Sequence, residues 1–471
     1  MDGFKFSATV NADKIFLVNR SNVLERLDAS YNYALANSNL KTNYPTASIS
    51  SSFKSYSGGT PSKANASFWL GNIPWASPKD FKGFVLDKTE DFISKEAVDS
   101  SATTIAPVGA LLMVVRSGVL LHTIPVAITQ KPMAFNQDVK AFIPSSSISV
   151  QFLGIYFRIY NDQILPLIVK HSTTVQSINT AELNTFRIPV LPNQVQQKIV
   201  DLYTEATLKQ QQKEQQAQAL LDDIDGYLLN ALGITLPVQD NRLEKRMFIV
   251  PFSELTGGRS DSDFYRKFYL ESIKSLGTKF GAKSIKDLSI NVFQGVGKDE
   301  VEFSEFTLLK VKNIKINNEL DFSDTEFIAS IPQQKILLEN DIVSPFIGEA
   351  IKQYKFSNFS QTNGIYTVDN NTGVIRVNQD KCNPRYVCEV LNSAIGKFQI
   401  DRQIGGGGVP FLGASGAKKL LIPLPPIEKQ NEIAAHISQI RAQAKQLQAE
   451  AANLLASAKT DIERMILGEV A

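Results

Sequence analysis

The sequence predicts an α+β chain in which a mixed, β-rich domain followed by a long helix occurs twice in tandem. Three observations predict it. The chain repeats itself with a period near 234 residues, short apolar runs sit between turn formers, and two long segments of three–four apolar spacing each follow a proline-rich stop. The 471 residues, 43% hydrophobic and 20% charged, suffice for two to four ordinary domains of roughly 100–200 residues each.

The duplication rests on matches that keep one order and nearly one offset. Phe16-Leu17-Val18 matches Phe248-Ile249-Val250, and Arg26-Leu27-Asp28-Ala29-Ser30-Tyr31 matches Arg259-Ser260-Asp261-Ser262-Asp263-Phe264. Ile188-Pro189-Val190-Leu191-Pro192 matches Ile422-Pro423-Leu424-Pro425-Pro426, Gln196 pairs with Gln430, Ile199 with Ile433, and Leu232-Gly233 with Leu467-Gly468. The division that follows is 1–188 for the first domain, 189–240 for a central helical spacer, 241–421 for the second domain and 422–471 for a C-terminal helical spacer.

Within the domains, Gly109–Val115, Val150–Tyr156, Phe306–Val311 and Ile365–Val368 are short apolar runs bounded by Gly, Ser, Asn and Pro, and read as strands. Ser48–Ser62 and Gly405–Gly408 read as loops. Pro189–Pro192 and Pro423–Pro426 stop the preceding structure, because proline fixes φ and lacks a donor. A helix is expected from Asn193 to about Asn230 with Gly233 as its cap, and another from Ile427 to Leu467 with Gly468 in the same place. Ile433, Ile437, Ile440, Ala444, Leu447, Ala451, Leu454 and Ala458 alternate at spacings of four and three, a coiled-coil seam. The first helix offers Val195, Ile199, Leu202, Ala206, then polar Gln210 and Lys213, then Ala217, Leu220 and Ile224. A single apolar stripe must be buried, and the equivalent helix of the other repeat is the simplest partner.

Charge follows this division. Net charge is +4 over 1–188, −4 over 189–240, +3 over 241–421 and −1 over 422–471, summing to +2. Two basic domains on acidic helices suit a polyanion held at two points, and such charge also occurs in proteins that bind none. Apolar runs such as Val108–Val115 are far shorter than the ~18–20 residues of a membrane span. The opening Met1-Asp2-Gly3-Phe4-Lys5 carries no signal-peptide pattern, and Cys382 and Cys388 cannot staple a chain of this size, so a cytoplasmic setting is expected.

Catalytic patterns are missing. His122, His171 and His436 are dispersed, which argues against a metal site or a catalytic triad. Gly295-Val296-Gly297-Lys298 fails as a phosphate loop, with Val292 at the first glycine position and Asp299 at the Ser/Thr position. Gly405–Gly408 could cradle phosphate through backbone N–H groups or serve as a connector. Asn383-Pro384-Arg385-Tyr386 is only faintly similar to the Asn-Pro-Pro-Tyr loop of amino-methyltransferases, and helix initiation explains it better. Trp69 and Trp75 read as core. The pattern is that of a binding protein.

A resemblance sharpens this. Tyr56-Ser57-Gly58-Gly59-Thr60-Pro61-Ser62-Lys63, then Phe68-Trp69, Asn72-Ile73-Pro74-Trp75-Ala76-Ser77-Pro78-Lys79-Asp80-Phe81-Lys82-Gly83, Arg116-Ser117-Gly118 and Phe135-Asn136-Gln137-Asp138-Val139-Lys140 are similar to target recognition domains of the specificity subunits of type I restriction–modification enzymes. Phe293-Gln294-Gly295, Leu308-Leu309-Lys310-Val311-Lys312-Asn313-Ile314 and Asp341-Ile342-Val343 hold corresponding places in the second half. The resemblance implies two target recognition domains, each reading half of a bipartite double-stranded DNA site. It also implies two helices packed as an antiparallel coiled coil, giving a pseudo-twofold arrangement. Two methyltransferase subunits that modify adenine and two restriction/translocase subunits would be the partners. The chain itself would catalyse nothing and hold no cofactor, with S-adenosylmethionine, ATP and Mg confined to the partners.

On that reading the candidate DNA contacts are Lys63, Lys79, Arg116, Gln137, Gln294, Lys298, Lys310, Lys312, Asn313, Lys315, Arg402 and Lys418. Arg and Gln can read base edges bidentately, whereas Lys more often meets phosphate. Lys310 and Lys312 stand two apart in what reads as a strand, so both would share one face. The helix-packing candidates are Val195, Ile199, Leu202, Leu220, Ile224, Ile433, Ile437, Ile440, Leu447 and Leu454. Two alternatives stay open: a specificity subunit of a type IIB-like enzyme, and a two-headed coiled-coil adaptor that binds no DNA.

Overall fold

The computed structural model describes residues 29–37, 40–170, 175–240, 242, 247–252, 261–297, 299–360, 363–404 and 408–469. Phe16–Val18, Arg26–Asp28, His171, Arg259-Ser260, Lys298 and Gly405–Gly407 lie outside the described residues. The chain forms two compact units, Met1–Gln212 with Glu450–Ala471, and Lys213–Ala449.

In unit 1 a five-stranded sheet runs in the order Phe53–Ser57, Val139–Pro144, Leu111–Val114, Val126–Thr129, Val85–Leu86, antiparallel except at the last junction. A four-stranded sheet runs Asp91–Ile93, Ile73–Ala76, Met133–Phe135, Thr104–Ala106, with a parallel central pair. The apolar run at Leu111–Val114 is a strand buried on both faces. Leu111 and Met113 enter one core and Leu112 and Val114 another, as a period of two requires.

Val150–Tyr156, expected as a strand, lies in the helix Val150–Ile159. Ser149 caps it by accepting from the N–H of Phe152, and all but two of its residues are buried. Its outer face is marked only by Gln151 and Arg158, seven residues apart, and the run to Tyr156 includes just the first of them, so it matches a buried strand equally well.

Unit 2 repeats the construction. One sheet runs Ser289–Gln294, Thr372–Val377, Ile342–Pro345, Ser357–Asn358, and the other Glu300–Val301, Glu326–Ile328, Phe306–Leu309, Ile365–Val368. The last two strands are again a parallel pair. Ile342 and Ile375 point into one core while Val343 and Val374 point into the other. In each unit a short strand pairs antiparallel with the proline stop, Thr46–Ser48 with Arg187–Pro189 and Ala282–Ser284 with Leu421–Pro423.

The long helices span Asn193–Leu232 and Ile427–Leu467. Each ends at a left-handed glycine, Gly233 at φ 65° and Gly468 at φ 80°. The N–H groups of Ile234 and Glu469 return to the carbonyls of Leu229 and Arg464, closing the same C-cap twice. In unit 1, Ile199 and Tyr203 share a core with Ile462 and Ile466, and Val195, Leu202 and Leu455 pack against it. In unit 2, Ile224, Leu228 and Leu232 share a core with Ile433, Ala434 and Ile437, against which Leu221 and Ile440 pack. At two expected positions the neighbour takes the core-packing role: Leu221 for Leu220 and Leu455 for Leu454. Leu220 and Leu447 instead line a shallow groove in unit 2.

Candidate nucleic-acid interface

The expected contact residues stand on a framework built the same way in both units. After the strand Ile73–Ala76 the chain turns through a short 3-10 segment, Pro78–Asp80. The Asp80 carboxylate holds the turn by accepting from the N–H of Ser77 at 2.8 Å and of Glu90 at 2.9 Å. In unit 2 the strand Phe306–Leu309 leads into Val311–Asn313, where Asn313 Oδ1 accepts from the N–H of Lys310 at 2.8 Å. Asn313 Nδ2 donates to the carbonyls of Asp321 and Asp324, both at 2.9 Å.

These turns set Lys79 and Lys312 at equivalent positions, and both are engaged. Lys79 pairs with Glu90 at 3.1 Å and Asp91 at 2.9 Å. Its hydrogen bonds to Asp91 and then Glu90 raise its pKa to about 12. Lys312 pairs with Asp324 at 2.8 Å and Glu326 at 3.4 Å.

Three expectations are corrected here. Lys310 and Lys312 do not share a strand face. The strand ends at Leu309, because the Asn313 side chain captures the Lys310 N–H and turns the chain. Lys310 folds onto Glu300 and Glu326, and its side chain is largely buried. Asn313 is 1% exposed with both ends of its amide used, so it holds the turn and offers nothing to a ligand. Arg402 lies with its guanidinium 3.9 Å from the Phe264 ring centroid and donates Nε–H to the Phe264 carbonyl at 3.0 Å, a packing role inside unit 2.

Lys315 pairs with Asp321 at 3.2 Å, and Ser323 and Lys315 together hold that carboxylate down at about 2. Gln137 is exposed and accepts from the Thr60 hydroxyl. Gln294 ends its strand, and Nε2 reaches the Asn370 carbonyl at 3.4 Å. Lys63, in a turn, and Arg116, beside Asp138, are exposed and make no ion pair with a described residue. Lys418 is half-buried and likewise without an ion pair among the described residues.

Glycines seat the two sheets against each other. A Cβ on Gly58 would overlap the Phe135 carbonyl, and one on Gly295 the Val368 carbonyl, so both strands cross at backbone contact. Gly59 donates N–H to the Phe135 carbonyl at 2.9 Å and accepts from Trp75 Nε1 at 3.1 Å. Trp75 is buried and meets Trp69 edge-on at 5.0 Å.

Sequence reasoning missed the cations beneath this surface in unit 2. Lys335 donates Nζ–H to the carbonyls of Gln294 and Gly295, and burial pushes its pKa down. Arg376 grips Asp341 through two bonds, 2.9 and 2.7 Å, and lies over Phe293. The carboxylate of the Asp341-Ile342-Val343 motif was visible in the sequence, but its partner 35 residues on was not.

Two glutamines brace the proline stops. Gln196, 3% exposed, donates to the carbonyls of Leu191 at 2.8 Å and Ser147 at 3.1 Å, and accepts from the N–H of Ser149 at 2.8 Å. Gln430, 1% exposed, donates to the Pro425 carbonyl at 2.8 Å and accepts from the N–H of Asn383 at 2.9 Å. Asn383 in turn caps the helix Pro384–Asn392, which accounts for the Asn-Pro-Arg-Tyr sequence.

With this construction in view, the comparison with known families is specific. Residues 43–219 match the type I restriction modification DNA specificity domain. Over that stretch the chain is similar to this domain, and it is similar to type I restriction enzyme specificity subunits. The EcoR124I/EcoR124II specificity subunit of Escherichia coli is 40% identical over 150 residues, 32% of this chain and 37% of that relative. The MjaIX specificity subunit of Methanocaldococcus jannaschii is 27% identical over 145 residues, 30% of this chain and 33% of that relative. The chain therefore matches about a third of the length of these curated relatives. A solved chain from work on complex assembly and conformational transition of the type I R-M system shares the fold, with a TM-score of 0.54 at 10% identity, covering 91% of this chain and 98% of that one. Among the described residues no helix is long and apolar enough to cross a membrane.

Proposed function

We propose that this chain is the non-catalytic specificity subunit of a type I restriction–modification complex and binds double-stranded DNA, each unit reading one half of a bipartite, asymmetric target. One observation carries the reading: the construction of the matched specificity domain recurs in unit 2, with the same turn, glycine seat and glutamine brace. Two modules of one build and different surface sequence suit two different half-sites.

The long helices, 40 and 41 residues, each extend about 60 Å at 1.5 Å per residue. Packed antiparallel as a coiled coil in a pseudo-twofold arrangement, they would fix the separation of the half-sites. Half-sites one helical turn apart are spaced by roughly 34 Å, which such a rod accommodates. Lys63 and Arg116 are the first candidate contacts, because no described carboxylate competes for them. Lys79, Lys310, Lys312 and Lys315 already face carboxylates, and a DNA phosphate would have to displace those pairs. Gln137 and Gln294 are candidates for base edges.

Adenine methylation, ATP-driven translocation and cleavage fall to two methyltransferase subunits and the restriction subunits. Those partners hold S-adenosylmethionine, ATP and Mg, and the complex works in the cytoplasm. The test is an exchange of residues 14–188 for those of a relative with another target, in the assembled methyltransferase, followed by mapping of methylated adenines. One half-site changes and the other is kept. If both change, independent reading by the two units is refuted.

A further inference from the structure

Unit 2 contains a polar cavity whose lining residues are not repeated in unit 1. The helix Pro384–Asn392 supplies Glu389, the long helix Ile427–Leu467 supplies Arg441, and the turn before Glu319–Leu320 supplies Asn317 and Asn318. Both asparagines are left-handed, at φ 67° and 59°, a conformation Asn tolerates better than most residues. The turn brings Asn318 Nδ2 to within 3.1 Å of both Asn358 Oδ1 and Glu389 Oε1. Arg441 Nη2 donates to the other Glu389 oxygen.

Glu389 is thereby satisfied at both oxygens, but Arg441 is not satisfied. Its side chain is 15% exposed, and Nε and Nη1 are buried with no hydrogen-bond acceptor among the described residues. Leaving a buried charged donor unmet is costly, and such groups in native proteins have a reason. Arg441 lies between two cavities, of about 210 and 270 Å³, and lines both. The smaller one is also lined by Arg385, exposed and without an ion pair among the described residues, and by Lys445, which pairs with Glu319 at 2.9 Å. Two carboxylates and three cations line it, so one positive charge is left over.

Unit 1 replaces the charged pair at the equivalent positions, with an isoleucine, an aromatic ring and a threonine whose buried Oγ1 has no hydrogen-bond partner among the described residues. At an offset of 234 residues, Arg441, Glu389 and Asn318 correspond to Thr207, Ile155 and Phe84. Phe84 packs edge-on against Tyr203 at 5.5 Å, and the Arg158 guanidinium lies 5.4 Å above the Phe84 ring. The repeated fold therefore does not require these polar side chains, which are particular to unit 2.

We infer that this cavity is a binding site for a small oxyanion, a phosphate or carboxylate, received by Nε–H and Nη1–H of Arg441 with Arg385 at the rim. Planar, forked arginine donors match both anions, and about 210 Å³ is below the range for drug-sized ligands. The inference is independent of DNA reading.

The test is titration calorimetry of the full chain with inorganic phosphate and with acetate at low salt. Saturable binding of at least one of them at one site is expected. Arg441→Lys keeps a cation for Glu389 and removes both free donors, so binding should weaken at least tenfold. Arg385→Ser, at an exposed position whose backbone cap is unaffected, should weaken it about threefold and serves if the first variant misfolds. No uptake of either anion by the wild-type chain, or unchanged uptake in a folded variant, overturns the inference and leaves the donors to water.

Discussion

Truncating the glutamine brace should destabilise each unit by about the same amount. In Gln430→Ala the N–H of Asn383 and the carbonyl of Pro425 lose their partners in a region where Gln430 itself is 1% exposed. Each buried group left unmet costs about 1–3 kcal/mol, so the substitution should cost about 2–6 kcal/mol. Gln196→Ala frees the N–H of Ser149 and the carbonyls of Leu191 and Ser147, and should cost at least as much. Urea unfolding followed by circular dichroism gives the stability change, and amide hydrogen exchange locates it. The Asn383 amide should lose protection in the first variant and the Ser149 amide in the second, each leaving the other protected. A cost below about 0.5 kcal/mol, or unchanged exchange at those two amides, would refute the argument that the glutamines hold the proline stops.

Gly58→Ala and Gly295→Ala each force a methyl group into a backbone carbonyl and should cost about 3 kcal/mol or more, read by thermal unfolding. Burial pushes the Cys382 thiol up to about 12 and raises Cys388 as well, so at pH 8 neither should react with a thiol reagent faster than the chain opens. Inserting about four residues near Gln210 lengthens the helix by about 6 Å and should lengthen the tolerated DNA spacer by about one to two base pairs. An active insertion mutant that keeps its original spacer would show that the helices do not set it.

Where sequence alone sufficed, the signal was local. The helix ends were legible because proline, glycine and three–four spacing act within a turn or two of the residue concerned. Gln196 and Gln430 were legible as a pair because both follow a proline stop at one offset. Lys310 and Lys312 were not, since Leu308-Leu309-Lys310-Val311-Lys312 continues a strand pattern until a side chain three residues on captures a backbone amide. The state of the candidate lysines was equally hidden. Lys79 is paired from eleven and twelve residues away, Lys312 from twelve and fourteen, and nothing in the intervening sequence marks the approach. Arg441 looked like one more polar position beside an apolar seam, because its partner Glu389 stands 52 residues earlier.

The way unit 1 is completed bears on how the protein is made. Its core takes Ile462 and Ile466 from the second long helix, and Asn43 and Thr42 bond the carbonyls of Leu467 and Ile466. Unit 2 is one continuous stretch, Lys213–Ala449. On the ribosome, therefore, the domain translated first is the last to close. Its half-built core, lacking Ile462 and Ile466, must wait through the synthesis of all of unit 2. Nascent unit 1 is the stage at which a chaperone has the most to protect, and a released chain ending at Ala449 should have unit 2 protease-resistant while unit 1 remains open to cleavage.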